Sequence, residues 1–335
     1  MHIPDAVLDP KVALATGLIA AGGLAYGLRT LRGRLGERTT VLMGSMAAFV
    51  FAAQMINFPV FVVPASGHLL GGVLAAVLLG PWAGAAVIAA VLLVQCFLFG
   101  DGGLTALGAN FVNMGLIGSV GGYAIYEPIR RGIGGHRGVL IGAMAAAWFS
   151  VILSAGAFSV ELAASGRWST FSDVLGWMTL VHAAIGLGEA LITGMVVRFL
   201  LLTRPDLFDD GQAAPTSAAS RRWGIAAAAL SVSLAVAVFL APFASTNPDG
   251  LEFVGSEKVK FLAPQGQGAN PPLPAPIPDY AMPGLSWFPS AATAAAGVVG
   301  TLVVFGVGLA LGRGFVGGPG AKSVLSARGV EADAV

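Results

Sequence analysis

Charge is what this chain has least of: 10% of its 335 residues are charged, against about 25% in a soluble domain. With 56% hydrophobic residues and a mean hydropathy of +0.81, an ordinary water-soluble enzyme is excluded, because so much apolar surface would leave sticky patches in water. The fitting solvent is a bilayer. A single cysteine, Cys96, excludes an intrachain disulfide framework and a cysteine-rich metal cluster. Lys and Arg (18) nearly balance Asp and Glu (17), so no global charge recruits nucleic acid. No G-x-x-x-x-G-K-[ST] occurs, so the chain has no phosphate cradle with which to use ATP itself. Nor is there a G-x-S-x-G, and no residue is assigned a catalytic role. Glycine, by contrast, is abundant at 48 residues, which suits helices packing closely in lipid.

A hydrocarbon core about 30 Å thick takes roughly 20 apolar residues per helix. Runs of that size lie at residues 11–31, 40–63, 103–126, 138–163, 174–202, 223–244 and 291–312. Residues 68–99 are too many for one span, and Gly80-Pro81 breaks them into two shorter pieces. Basic residues cluster at Arg29/Arg32/Arg34/Arg38, Arg130/Arg131/Arg137, Arg198/Arg204/Arg221/Arg222 and Arg313/Lys322/Arg328. Placing all four clusters on the cytoplasmic side requires 68–99 to return to its own side. The expected fold is therefore all-α: a polytopic helical bundle of seven segments plus two, N-terminus outside and C-terminus inside, in the cell inner or plasma membrane. The opening MHIPDAVLDP is neither a signal peptide nor helical. Composition divides the chain into a membrane domain (1–205), a cytoplasmic linker (206–222), a two-helix auxiliary domain (223–315) and a cytoplasmic tail (316–335). Within the auxiliary domain's outer loop, PPLPAPIPDY should be extended and polyproline-like.

Of four histidines, His2, His68 and His182 lie toward the outer side and His136 in a cytoplasmic loop. A histidine at position two sets three nitrogens in chelating order: the Met1 amine, the His2 amide once deprotonated, and the His2 imidazole. They close a five-membered and a six-membered ring, a planar arrangement suited to Ni(II) or Cu(II). A fourth nitrogen would come from His68, in the glycine-flanked SGHLLGG, or from His182. Glu189 is the one acid deep in a span, seven residues after His182 and on the same helical face, either a partner for His182 or a residue that orients the site. Gln54, Asn57, Gln95, Asn110 and Asn113 read mainly as hydrogen-bonding glue between helices.

Three blocks, Met1-His2-Ile3-Pro4-Asp5, Ser66–Gly72 and His182–Thr193, resemble the metal-binding membrane subunit of cobalt/nickel energy-coupling-factor transporters over residues 1 to about 205. A fourth block, Asn247–Glu252, resembles the small auxiliary N subunit of the same transporters, here fused behind the linker. The resemblance implies a substrate-capture subunit that binds Ni(II) or Co(II) from outside through Met1, His2 and His68, with Ser66, His182 and Glu189 as candidate residues around the ligands. It also implies separate partners, a transmembrane coupling subunit and paired cytoplasmic ATPases, and no prosthetic group. The loop bearing Asp249, Gly250 and Glu252 would assist metal loading or position the N-terminal arm. One departure is local: the family's opening motif usually continues with glycine where this chain has Ala6. The competing expectation is a proton-coupled metal carrier with His182 and Glu189 as its relay.

Overall fold

The computed structural model describes residues 2–208, 219–262, 272–285 and 287–314, without the side chains of 219–222. Met1, most of the linker, the tail and its Lys322 and Arg328 lie outside the described residues, as do the side chains of Arg221 and Arg222.

The chain begins with an extended arm. Helix α1 (Pro10–Leu31) starts where Asp9 accepts the Lys11 N–H at 2.8 Å and Pro10 takes the first helical position, where a missing N–H costs nothing. Helix α2 (Glu37–Gln54) stops well short of the expected boundary at residue 63. The chain there forms a small antiparallel hairpin, β1 (Phe58–Val60) and β2 (Ala65–Gly67), with Phe58 opposite Gly67. The all-α expectation is corrected at this point. Pro59 disfavours helix in the residue before it, and the strands answer each other's backbone groups where a helix no longer does.

Helix α3 (Gly72–Leu79) has only eight residues, a rise of about 12 Å, so it enters the membrane without crossing. Gly80, at φ 89°, breaks it from α4 (Pro81–Val94), which runs on in a wide turn to Phe99. His68 and Asp101, the residues flanking this segment, both reach His2, so its two ends meet at one end of the bundle. A helical stretch follows from α5 (Leu107–Asn110) through wide turns to α6 (Gly122–Ile133). Then come α7 (Gly135–Leu162) and α8 (Phe171–Thr203). Helix α9 (Ala219–Phe239), the short α10 (Gly250–Phe253) and α11 (Pro289–Gly314) complete the bundle. Among the described residues, five helical stretches are long and apolar enough to cross a membrane: 10–31, 81–99, 135–203, 223–243 and 289–314.

Lipid gives no hydrophobic drive between helices, so close backbone approach must hold them. A Cβ on Gly308 of α11 would sit 2.9 Å from the Ala47 Cβ and 3.1 Å from the Gly44 Cα of α2. At the basic end, Arg38 pairs with Asp206, which Arg204 also holds at 2.7 Å, while Arg313 stacks over Trp223. Phe61, Trp168 and Phe243 stand exposed toward the opposite end, as aromatics do at a membrane interface. Cysteines replacing Phe61 and Ser172 in a Cys96→Ala chain should label from the outside with an impermeant thiol reagent, and one replacing Gly132 only after permeabilisation. Outside labelling at Gly132 would overturn the proposed orientation.

Candidate metal centre

The arm is threaded into the bundle and held there by side chains. Asn110 grips Ile3 on both backbone groups: its Oδ1 accepts the Ile3 N–H at 2.8 Å, and its Nδ2 donates to the Ile3 carbonyl at 3.1 Å. Gly103 N–H donates to the same carbonyl at 2.8 Å. Asp5 accepts both the Thr105 N–H (2.8 Å) and the Thr105 hydroxyl (2.6 Å). The chain can lie this close because residue 103 is glycine; a Cβ there would fall 2.3 Å from the Asp5 nitrogen. Directly after these anchors, and before the Asp9 N–H that donates to Ser165 Oγ at 3.0 Å, Ala6 sits at φ 63°, in the left-handed region where glycine is comfortable and alanine costs about 1–2 kcal/mol. The departure from the family's glycine is thus tolerated as local strain, and the bend is kept.

This threading delivers His2 to His68. Their ring centroids are 5.2 Å apart, edge to face at 68°. His2 Nδ1 also lies 3.2 Å from Asp101 Oδ1. Burial pushes the His2 imidazole below the ordinary histidine range, against the opposing pull of Asp101.

His68 follows β2. Its Nδ1 lies 3.0 Å from the Leu69 carbonyl, which can only accept, so Nδ1 carries the hydrogen and Nε2 the lone pair. This is the tautomer a metal ligand needs, oriented by a backbone partner. The loop after His68 is fixed from below. Glu189, fully buried, accepts the N–H of Leu70 at 2.5 Å and of Gly71 at 2.9 Å, and Gly71 sits at φ 77°. Gln54 donates to the Leu70 carbonyl at 2.9 Å and accepts from Gln95 at 2.7 Å. Glu189 therefore serves the His68 loop and does not bond His182, and the two form no direct relay. Sequence periodicity put Glu189 on the correct face but could not name its partners.

Ser66 and the auxiliary loop meet each other. Ser66 N–H donates to the Pro248 carbonyl at 2.7 Å and its hydroxyl to the Asn247 carbonyl at 2.9 Å, so Ser66 seats the loop. Asp249 caps α10 by accepting the Glu252 N–H at 2.8 Å. Burial alone would raise its carboxyl, but nearby positive charge and this N–H hold it below the usual carboxylate range. Gly250 lies against α8: a Cβ there would be 2.6 Å from Ile185 Cδ1 and 3.0 Å from His182 Cε1. Farther along, the polyproline-like expectation for PPLPAPIPDY gives way to bends and a tight turn at Pro278–Tyr280, with Asp279 and Tyr280 at φ 52° and 55°. That turn aims the Tyr280 hydroxyl at Asp101 Oδ2, 2.6 Å away, and stacks its ring on Phe99 at 4.5 Å. Tyr280, Asp101 and His2 thus form a continuous chain from the auxiliary loop to the arm.

Sequence reasoning missed Asp101 and Tyr280 and took Asn110 for glue between helices. The available signal was the Gly100-Asp101-Gly102-Gly103 run, an acid in a glycine loop directly after a span. Among the described residues, no three His, Cys, Asp or Glu side chains form a ready-made cage for a cation. Backbone and terminal nitrogens must complete any site at His2 and His68.

The family model described as the cobalt uptake substrate-specific transmembrane region, CbiM, matches residues 2–207. The chain belongs to the CbiM family. A second model, the PDGLE domain, matches residues 223–316 and includes the Pro248–Glu252 motif for which it is named. A protein of Archaeoglobus fulgidus named "Putative fused nickel transport protein NikMN" is 38% identical over 93% of this CbiM-family chain and 98% of its own length. The "Fused nickel transport protein NikMN" of Rhodobacter capsulatus is 30% identical over 93% and 97%. The "Cobalt transport protein CbiM" of Sorangium cellulosum is 31% identical over 62% and 95%. A crystal structure described as a truncated transition metal transporter matches with TM-score 0.55 and 28% identity, over 61% of this chain and 99% of its own. The chain is a multi-pass membrane protein of a metal-uptake family.

Asn110→Ala leaves the buried Ile3 N–H and carbonyl without their side-chain partner, a cost of about 1–3 kcal/mol. The arm should then detach more often, seen as faster amide hydrogen exchange at residues 3–6 in the purified protein. Unchanged exchange would show that Asn110 does not anchor the arm.

Proposed function

We propose that this chain is the substrate-capturing subunit of an ATP-driven energy-coupling-factor importer, taking Ni(II) from outside through the Met1 amine, the His2 amide and imidazole, and His68. The carrying observation is the edge-to-face pairing of His2 and His68, 5.2 Å between ring centroids, at the end of the bundle opposite the arginines. An arm beginning Met-His brings three nitrogens in chelating order, and His68 Nε2 supplies the fourth. Chelation by His2 Nδ1 replaces its contact with Asp101. Four in-plane nitrogens favour Ni(II) over tetrahedral Zn(II), and two fused relatives are named nickel transport proteins. Energy comes from partners, a transmembrane coupling subunit and cytoplasmic ATPases, since this sequence has no phosphate cradle. The proposal includes nine segments with the N-terminus outside, and the division at 1–205, 206–222, 223–315 and 316–335. Before metal binds, the auxiliary loop steadies the arm through Tyr280 and Asp101.

An N-terminal tag should abolish Ni(II) binding in equilibrium dialysis, and a C-terminal tag should be tolerated. Both the amine, with a reference pKa near 7.7–8.0, and the amide must lose protons to bind, so affinity should rise between about pH 6.5 and 8.5. Full-affinity binding by the N-terminally tagged chain would sink the proposed ligand set.

Tyr280→Phe keeps the stack on Phe99 and removes the hydroxyl on Asp101. Losing one such hydrogen bond, about 1 kcal/mol, loosens Asp101 and with it the metal-free arm, and should slow Ni(II) association roughly fivefold in stopped-flow mixing. An unaltered rate would remove the auxiliary loop from the holding of the arm.

A further inference from the structure

Beneath the His2–His68 pair lies a cavity of about 10 Å³ lined by His68, His182, Asp249, Gly67 and Gly250 among others, room for about one water-sized occupant. His182 is 1% exposed. Its Nδ1 lies 2.9 Å from the Met178 carbonyl, so that nitrogen carries the hydrogen and Nε2 presents a lone pair. In a span of apolar neighbours this Nε2 has no hydrogen-bond partner. A buried imidazole acceptor left unanswered is costly, and an imidazole fixed by a backbone carbonyl with its other nitrogen unanswered is the arrangement of a metal ligand. Asp249 also lines this cavity, presented by a loop that Ser66 of β2 holds through the Asn247 carbonyl.

We propose that His182 Nε2 and the Asp249 carboxylate, with His68 Nε2 as the shared ligand, form an inner station to which the cation passes from the N-terminal chelate. This rests on the capture site proposed above and adds the next step to it. A four-nitrogen plane that includes a deprotonated amide releases its ion slowly unless another ligand competes. His182 supplies that ligand on the inner side while His68 stays bound, so one donor is never surrendered before the next is engaged. The inner set is mixed nitrogen and oxygen, harder and less planar than the outer one, so it binds Ni(II) more weakly and exchanges it faster. The three side chains line one cavity but, among the described residues, do not form a ready-made cage, so a cation entering it must draw them together. Gly250 leaves the space, because a Cβ there would lie 3.0 Å from His182 Cε1.

The test is Ni(II) stoichiometry of the full-length chain in detergent, by equilibrium dialysis with radioactive Ni(II) followed to millimolar metal. Two ions per chain are expected at high metal, the first keeping His68 Nε2 and the second held by His182 and Asp249 alone, and therefore bound at least tenfold more weakly than the first. The second event should vanish in His182→Ala, in the polar replacement His182→Gln and in Asp249→Asn. In vesicles carrying the assembled importer, these variants should lower the maximal Ni(II) uptake rate at least tenfold with little change in the half-saturating concentration. One ion per chain in the unsubstituted protein, or two in all three variants, overturns the inner station. Loss of the first, tight event from the unsubstituted protein would instead overturn the capture site, so the two failures are told apart.

Discussion

Backbone that leaves the helix at membrane depth must have its polar groups answered by protein, because lipid cannot answer them. Two non-helical segments meet at one end of this bundle, the arm before α1 and the loop after β2, and each is answered by buried side chains. Asn110 satisfies Ile3 on both groups. Glu189 and Gln54 satisfy Leu70 and Gly71. Asn110, Glu189 and Gln54 are therefore spent on the backbone that holds His2 and His68 in place.

The same constraint explains why the hydrogen bonds matter more than the histidines' own contacts. Imidazoles 5.2 Å apart attract one another weakly. Their positions are set by the backbone that carries them, and that backbone is set by Asn110, Asp5 and Thr105 on one side and Glu189 on the other. Tolerance of Ala6 at φ 63° has the same origin, since Asp5 on Thr105 before it and the Asp9 N–H on Ser165 after it fix the chain on both sides.

The auxiliary segment is built into this end by backbone pairing with Ser66 and by the Tyr280 hydroxyl on Asp101. Its helices pack on α2 through small residues, with Gly308 facing Gly44 and Ala47. Fusion in one chain thus places the PDGLE motif directly over the α8 histidine.

Sequence alone determined that the chain lives in a bilayer, because apolar length and charge scarcity are composition. It marked the apolar runs that form α1, α9 and α11, the break at Gly80-Pro81 and the histidines His2 and His68, because these rest on local residue types. Tertiary structure decided the rest. Glu189 turned out to serve Leu70 and Gly71, 119 and 118 positions away, and Asp101 to join Tyr280, 179 positions away, to His2. A helical period says which face a residue occupies, but not which loop folds back onto that face. The hairpin at 58–67 was hidden for a related reason: an apolar run that continues past Pro59 looks like membrane helix until the strands find each other.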